Sequence, residues 1–162
     1  MNKDLKMMFV QRCAAMALLT IVLPLAGCQS LGADTALSLA SEPPGVVEIS
    51  GGKEQFRAGN FGLAEAAFKR AVELAPQNGE AWLGLAACHD ELRRFDLADR
   101  DYAQVQAVSG TSVALLNNRG YSQFLRGNLA AARADLSAAR ALAPDNAAVQ
   151  VNLKALAAPR QR

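Results

Sequence analysis

"LLNNRGYSQFLRGNLAAARADLSAARALAPDN" spans residues 115–146, and its small and large residues recur at a fixed distance along the chain. At steps of 34, Gly120 is preceded by Ala86 and Gly52, Leu129 by Phe95 and Phe61, and Ala132 by Ala98 and Ala64. Leu136 follows Tyr102 and Phe68, Ala139 follows Val105 and Ala71, and Pro144 follows Gly110 and Pro76. Small falls on small, large on large, and a helix breaker on a breaker. A self-similar period of this length is the signature of stacked like units, none of which buries enough apolar surface alone. The chain is 51% hydrophobic but only 6% aromatic, with alanine supplying much of the difference and no long Val/Ile/Thr alternation, so the units are expected to be helical.

The period sets three units, 45–78, 79–112 and 113–146, each a pair of helices. The expected helices are about 46–57 and 61–75, 79–92 and 95–107, 112–125 and 129–142, with a last one near 146–157. Gly59-Asn60 and Gly127-Asn128 fall between the two helices of their units, where glycine accepts a left-handed backbone and asparagine can cap the helix that follows. The equivalent residue of the middle unit is Arg93, which would pay about 1 kcal/mol for that conformation. Val149, Leu153 and Leu156 are spaced to cover the open end of the third unit, making 147–162 a capping helix and tail.

The middle unit carries the most specific resemblance. Trp82, Leu85, Ala86, Ala98, Tyr102 and Gly110 stand where the tetratricopeptide repeat places Trp, Leu, Gly, Ala, Phe and Pro. The resemblance implies an all-α, three-repeat helical solenoid with a C-terminal capping helix, its concave groove lined by the first helix of each unit. It directs Ile49, Lys53, Phe56 and Arg57 inward, then Leu83, Ala87, Asp90 and Glu91, then Asn117, Tyr121, Phe124 and Leu125. Phe56, Arg57, Leu83, Asn117, Tyr121 and Phe124 are the candidate partner-binding residues. Chaperone-binding members of the family clamp a peptide's terminal carboxylate with lysines and asparagines. Here those places hold Ile49, Lys53, Gly84, Ala114 and Asn118, so an aromatic-lined groove for an extended or helical peptide fits better. The same spacing also suits Tyr121 and Phe124 as packing residues, which leaves two roles open for them.

Ahead of the repeats, Lys3, Lys6 and Arg12 precede Cys13–Gly27, a 15-residue stretch without charge. That is short for a membrane span, which needs roughly 20 residues, and has the form of a secretory signal peptide. Leu25-Ala26-Gly27-Cys28 resembles the lipobox of bacterial lipoproteins. The resemblance implies that 1–27 is removed and that Cys28 becomes the lipidated N-terminus, held by acyl chains that contribute about 0.8 kcal/mol per buried methylene. An ordinary signal peptide or short anchor with an incidental Cys28 is the alternative. Residues 28–44 then read as the anchor and a tether that ends at Pro43-Pro44-Gly45. The absence of aspartate after Cys28 favours, by analogy, the periplasmic face of the outer membrane.

Composition and motifs exclude much else. Beyond residue 27 the chain has 14 basic and 14 acidic residues, so no charge excess points to nucleic acid. Cys13, Cys28 and Cys88 have no zinc-site spacing, and His89 is the single histidine, so no metal or cofactor is expected. His89 and its neighbour Asp90 point in different directions on a helix; a packed histidine facing the partner helix, beside a buried Cys88, is expected rather than catalysis. No Walker loop, nucleophile elbow, CxxC or HExxH occurs, and the chain reads as non-enzymatic. The lipobox together with three short repeats, and 115–146 in particular, resembles the tetratricopeptide lipoproteins of Flp/Tad (tight adherence) pilus loci. That resemblance implies an assembly factor acting like a pilotin on a secretin or another pilus component. A generic periplasmic scaffold for envelope or outer-membrane-protein assembly is the alternative.

Overall fold

The computed structural model describes residues 42–158, and the lipobox-like segment and Cys28 lie outside them. Seven helices and no strand occur among the described residues: α1 (Val46–Arg57), α2 (Phe61–Leu74), α3 (Gly79–Glu91), α4 (Phe95–Ser109), α5 (Val113–Leu125), α6 (Leu129–Leu142) and α7 (Ala147–Ala157). The architecture is an all-α helical repeat. The bounds agree with the periodic reading to within two residues. The largest departure is α4, which runs on to Ser109 because its breaker is Gly110, at φ 70°.

The period becomes packing. Ala64, Ala98 and Ala132 are each fully buried, as are Ala71 and Ala139, while Phe68, Tyr102 and Leu136 fill the space beside them. Small residues on the first helices admit these large ones. A Cβ on Gly52 would stand 3.0 Å from the Phe68 ring, and one on Gly120 would stand 2.8 Å from Leu136 Cγ. A Cβ on Gly84, in the next unit, would collide with the same Phe68 ring from the other side. Phe68 thus wedges between the first helices of two units, which is how one unit's core becomes continuous with its neighbour's.

The same turn links the two helices of all three units. Gly59 N–H donates to Phe56 O and Asn60 N–H to Gln55 O; Arg93 and Arg94 repeat this with Asp90 and His89, and Gly127 and Asn128 with Phe124 and Gln123. This paired closure is a Schellman motif, which needs a left-handed residue at its corner. Gly59 and Gly127 have φ of 79° and 86°, and Arg93, at 60°, is the only non-glycine residue with positive φ among those described. The asparagines do not cap as expected. Asn60 and Asn128 make no side-chain cap; instead each amide donates back to Gln55 or Gln123 at 2.9 Å, tying the turn to the helix before it.

Side-chain caps occur between units. Asn78 accepts from the Glu80 and Ala81 N–H groups, Ser112 from Leu115 N–H, and Asn146 from Val149 N–H. Asn78 and Asn146 stand two periods apart, and so do two further bonds: Trp82 Nε1 donates to Pro76 O, and Gln150 Nε2 to Pro144 O. By these marks α7 is the first helix of a fourth unit that has no second helix. It covers the third unit with buried Val149 and Leu156, the former against Leu116 and Ala139, the latter against Ala132 and Leu136.

Candidate functional site

Curvature follows from which helices touch. α1 packs on α3, α3 on α5, and α5 on α7, whereas no second helix packs on the second helix of the next unit. The first helices are therefore drawn together as the inner wall, and the second helices fan out behind them.

Two joined hollows lie on that wall. One, of about 280 Å³, is lined by Lys53, Phe56, Arg57, Phe68, Glu80, Leu83, Gly84, Ala87 and Asn118. The other, of about 310 Å³, is lined by Phe56, Ala87, Asp90, Glu91, Tyr102, Asn118 and Tyr121. Phe56, Ala87 and Asn118 belong to both. Each is small for a cofactor pocket but suits individual side chains of a bound segment. Phe56 is fixed by an edge-on contact with Phe61, ring centroids 5.1 Å apart.

The candidate residues reach this wall in different ways. Phe56, Arg57 and Leu83 line the first hollow and Tyr121 the second. Asn117 turns toward α7, where its Oδ1 accepts from Asn152 Nδ2 at 2.9 Å, and its own Nδ2 donates to Asn118. Phe124 is half-buried against the cluster of Ala132, Leu136 and Leu156, its ring 6.4 Å from that of Tyr121. A carboxylate clamp is not assembled: Ile49 is buried, Gly84 and Ala114 bring no polar side chain, and Lys53 is ion-paired with Glu80.

Behind the wall runs a polar core that the period does not reveal. His89 Nδ1 lies 2.6 Å from Asp101 Oδ2, and His89 Nε2 lies 3.4 Å from Glu65 Oε1 in the unit before. The next residue faces the other way. Asp90 is buried and accepts from Tyr102 OH at 2.7 Å and from Ser122 OH, in the following unit, at 2.6 Å. Asp90 therefore forms the floor of the second hollow with its carboxylate already engaged. Burial raises the carboxyls of Asp90, Glu91 and Asp101 above the usual carboxylate range, against the lowering effect of their donors or neighbouring cations. Burial likewise pushes the Cys88 thiol up to about 12, so it is no nucleophile. Both nitrogens of His89 face carboxylates, and the ring is buried away from the hollows.

Surface arginines extend the same clasp. Arg94 Nη1 donates to both carboxylate oxygens of Glu65 at 2.8 Å, and Arg126 makes a two-pronged bond to Asp99, also at 2.8 Å. Glu65 and Asp99 are equivalent positions one period apart, and each is held by the turn of the following unit. Among the described residues no group of His, Cys, Asp and Glu is placed to hold a metal, and no helix is long and apolar enough to cross a membrane.

Compared with known families, residues 50–107 and again 89–147 match the family described as Tetratricopeptide repeat. The chain belongs to that family. Tetratricopeptide repeat domains are interaction scaffolds, generally without catalysis, and commonly bind protein partners. Among solved structures, the repeat is similar to the Arabidopsis OM64 TPR domain, at 23% identity and a TM-score of 0.62, covering 69% of this chain and 93% of that one. It is similar to Pseudomonas aeruginosa pilF at 25% identity and TM-score 0.60, with 68% of this chain matched to 50% of that one. It also resembles the Yersinia enterocolitica type III secretion chaperone SycD, solved with a peptide of the translocator YopD, at 21% identity and TM-score 0.57, covering 68% and 89%. No curated protein matches this tetratricopeptide repeat chain in sequence.

Proposed function

We propose that this protein is a non-enzymatic assembly factor of the TadD type, which holds a segment of a protein partner in its concave groove. The partner is a secretin or another component of a Flp/Tad-type pilus or secretion machine. A lipid on Cys28 keeps the repeats at the periplasmic face of the outer membrane. The observation that carries the groove reading is the pair of joined hollows with Phe56 between them, open along the inner wall. Support for the setting comes from Leu25-Ala26-Gly27-Cys28 after a basic, apolar start, and from 115–146. SycD, a likeness of the fold, binds a peptide of its translocator.

Two measurements on the full chain in a Gram-negative bacterium test this function. Wild type should incorporate labelled palmitate and fractionate with the outer membrane, and Cys28→Ala should remain an unprocessed, unlabelled precursor. Normal processing and fractionation of Cys28→Ala would reject the anchor. A photo-crosslinking residue in place of Leu83 should capture a pilus or secretion component, identified by mass spectrometry. Adducts confined to outer-membrane-protein assembly factors would reject the pilus role.

A further inference from the structure

We propose that the groove selects a bipolar segment, with an acidic side chain seated on Arg57, an apolar one between Phe56 and Ala87, and a basic one on Glu91. The proposal rests on the groove reading above and adds the chemistry of the partner.

The charges on the two hollows differ once internal pairs are removed. In the first, Lys53 is tied to Glu80, so Arg57 is left as the unpaired charge, exposed at the last turn of α1 with no hydrogen bond or ion pair among the described residues. In the second, Asp90 is engaged by Tyr102 and Ser122, with Arg126 at 4.0 Å. Glu91 remains, half-buried in the hollow it shares with Tyr121; among the described residues its carboxylate accepts no hydrogen bond and has no ion-pair partner, and no cation lines that hollow. Burial already raises its carboxyl, with Arg93 nearby as the one lowering influence. A carboxylate in that position is better satisfied by a donor arriving with the ligand.

One segment can meet both charges because the hollows adjoin, with Phe56, Ala87 and Asn118 in the walls of both. Their shared stretch is apolar at Phe56 and Ala87, and Asn118 adds an amide whose Nδ2 has no acceptor. That amide is placed to meet a backbone carbonyl. Positive charge at one end and negative at the other impose a direction on the bound chain, and a mismatched segment would set like charges together.

The test uses three short synthetic peptides, fluorescently labelled and C-terminally amidated, with the same apolar centre. One has aspartate before the centre and lysine after it, one has the reverse order, and one has serine at both places. Binding to the full chain is read by fluorescence anisotropy. One charged order should bind at least about tenfold more tightly than the other two peptides. Arg57→Glu combined with Glu91→Lys should transfer that preference to the opposite order. Equal affinity for all three peptides overturns the polarity and leaves the groove reading standing. A preference unchanged in the charge-reversed protein overturns the assignment to Arg57 and Glu91. Failure of all three peptides to bind overturns the groove reading and the polarity together. Where circular dichroism shows that the reversed protein does not fold, Arg57→Gln with Glu91→Gln replaces it and should equalise the three affinities; a retained preference then overturns the proposal.

Discussion

His89 and Asp101 sit 12 residues apart on the two helices of the middle unit and meet at 2.6 Å in a buried pair. Asp90 and Tyr102, one residue further along each helix, meet at 2.7 Å. Two neighbours on α3 thus clasp α4 twice, and each also reaches an adjoining unit: His89 toward Glu65, Asp90 to Ser122. Nearest-neighbour coupling of this kind sets the cooperativity of a repeat array.

Removing one member of the buried pair strands the other. His89→Leu leaves Asp101 buried without its donor and Glu65 facing an apolar side chain, and such half-pairs typically cost about 3–5 kcal/mol. His89→Leu combined with Asp101→Leu removes both polar partners and should recover most of that loss. Urea unfolding of the full chain measures both variants. A loss below about 1 kcal/mol in His89→Leu, the level of exposed ion pairs, would show that the pair is worth no more than a surface contact.

Acidification should favour the folded state over the upper carboxylate range. Asp90 has a carboxyl raised in the fold above its ordinary 3.8, chiefly by burial. Between those two values the folded chain binds the proton and the unfolded chain does not, so the contribution of Asp90 to stability is greatest below 3.8 and is lost as pH rises through the folded value. Glu91 and Asp101 shift in the same direction. The groups facing Asp90 are Tyr102 and Asp99 from α4, Ser122 from α5 and Arg126 beyond it, with Glu91 adjacent. The melting temperature should therefore rise as the pH is lowered from neutrality through the raised carboxyl values. Asp90→Asn should flatten that rise, because the Tyr102 and Ser122 hydroxyls can turn to suit an amide. An equally steep rise in Asp90→Asn would locate the effect elsewhere.

Gly84 and Phe68 form a size-matched contact between units. A methyl at position 84 collides with a ring already held from the other side by Gly52. Gly84→Ala should cost about 1–3 kcal/mol, the usual range for overpacking. Phe68→Leu puts at position 68 the residue that the third unit has at Leu136 and should relieve the clash, so the double variant should be more stable than Gly84→Ala alone. Chemical denaturation curves decide this, and strict additivity of the two losses would show that the residues do not compete for the same space.

The fold was legible because its decisive contacts obey the period. Ala64, Ala98 and Ala132 are alike in sequence and equally buried, and the breakers at Gly110 and Pro144 end where helices end. The hollows were legible in part: Phe56, Arg57, Leu83 and Tyr121, directed inward by the resemblance to the repeat family, line them. Of the polar core, the packing of His89 toward its partner helix beside a buried Cys88 was legible, and the groups that meet His89 and Asp90 were not. His89 and Asp101 belong to different helices, and their separation of 12 reflects the length of a hairpin, which no single-helix pattern reports. Asp90 reads as a groove acid because nothing in its own helix shows Tyr102 and Ser122 converging on it. The half-unit identity of α7 was visible in "APQN" and "APDN", residues 75–78 and 143–146, whose caps and carbonyls are used in the same way.

Arg93 puts the turn geometry itself to the test. Its φ of 60° matches the glycines at the equivalent places, and a left-handed residue other than glycine costs roughly 1–2 kcal/mol. The side chain offsets part of this: Arg93 Nη1 donates to Leu125 O at 3.1 Å in the next unit, and its guanidinium lies 5.8 Å from the Phe95 ring centroid. Exposed contacts of these kinds contribute about 0.5–1 kcal/mol each. Arg93→Gly removes the strain and the contacts together and should change stability by less than about 1 kcal/mol in either direction. Arg93→Ala loses the contacts but keeps the strain, and should therefore be less stable than Arg93→Gly by about 1 kcal/mol. Inside an ordinary helix the order would be reversed, with alanine the more stable by a similar amount. Thermal or urea melts of the two variants read that sign directly. Alanine above glycine would mean that the middle turn is not left-handed and that the clasp of Arg93 and Arg94 onto Asp90 and His89 is differently built.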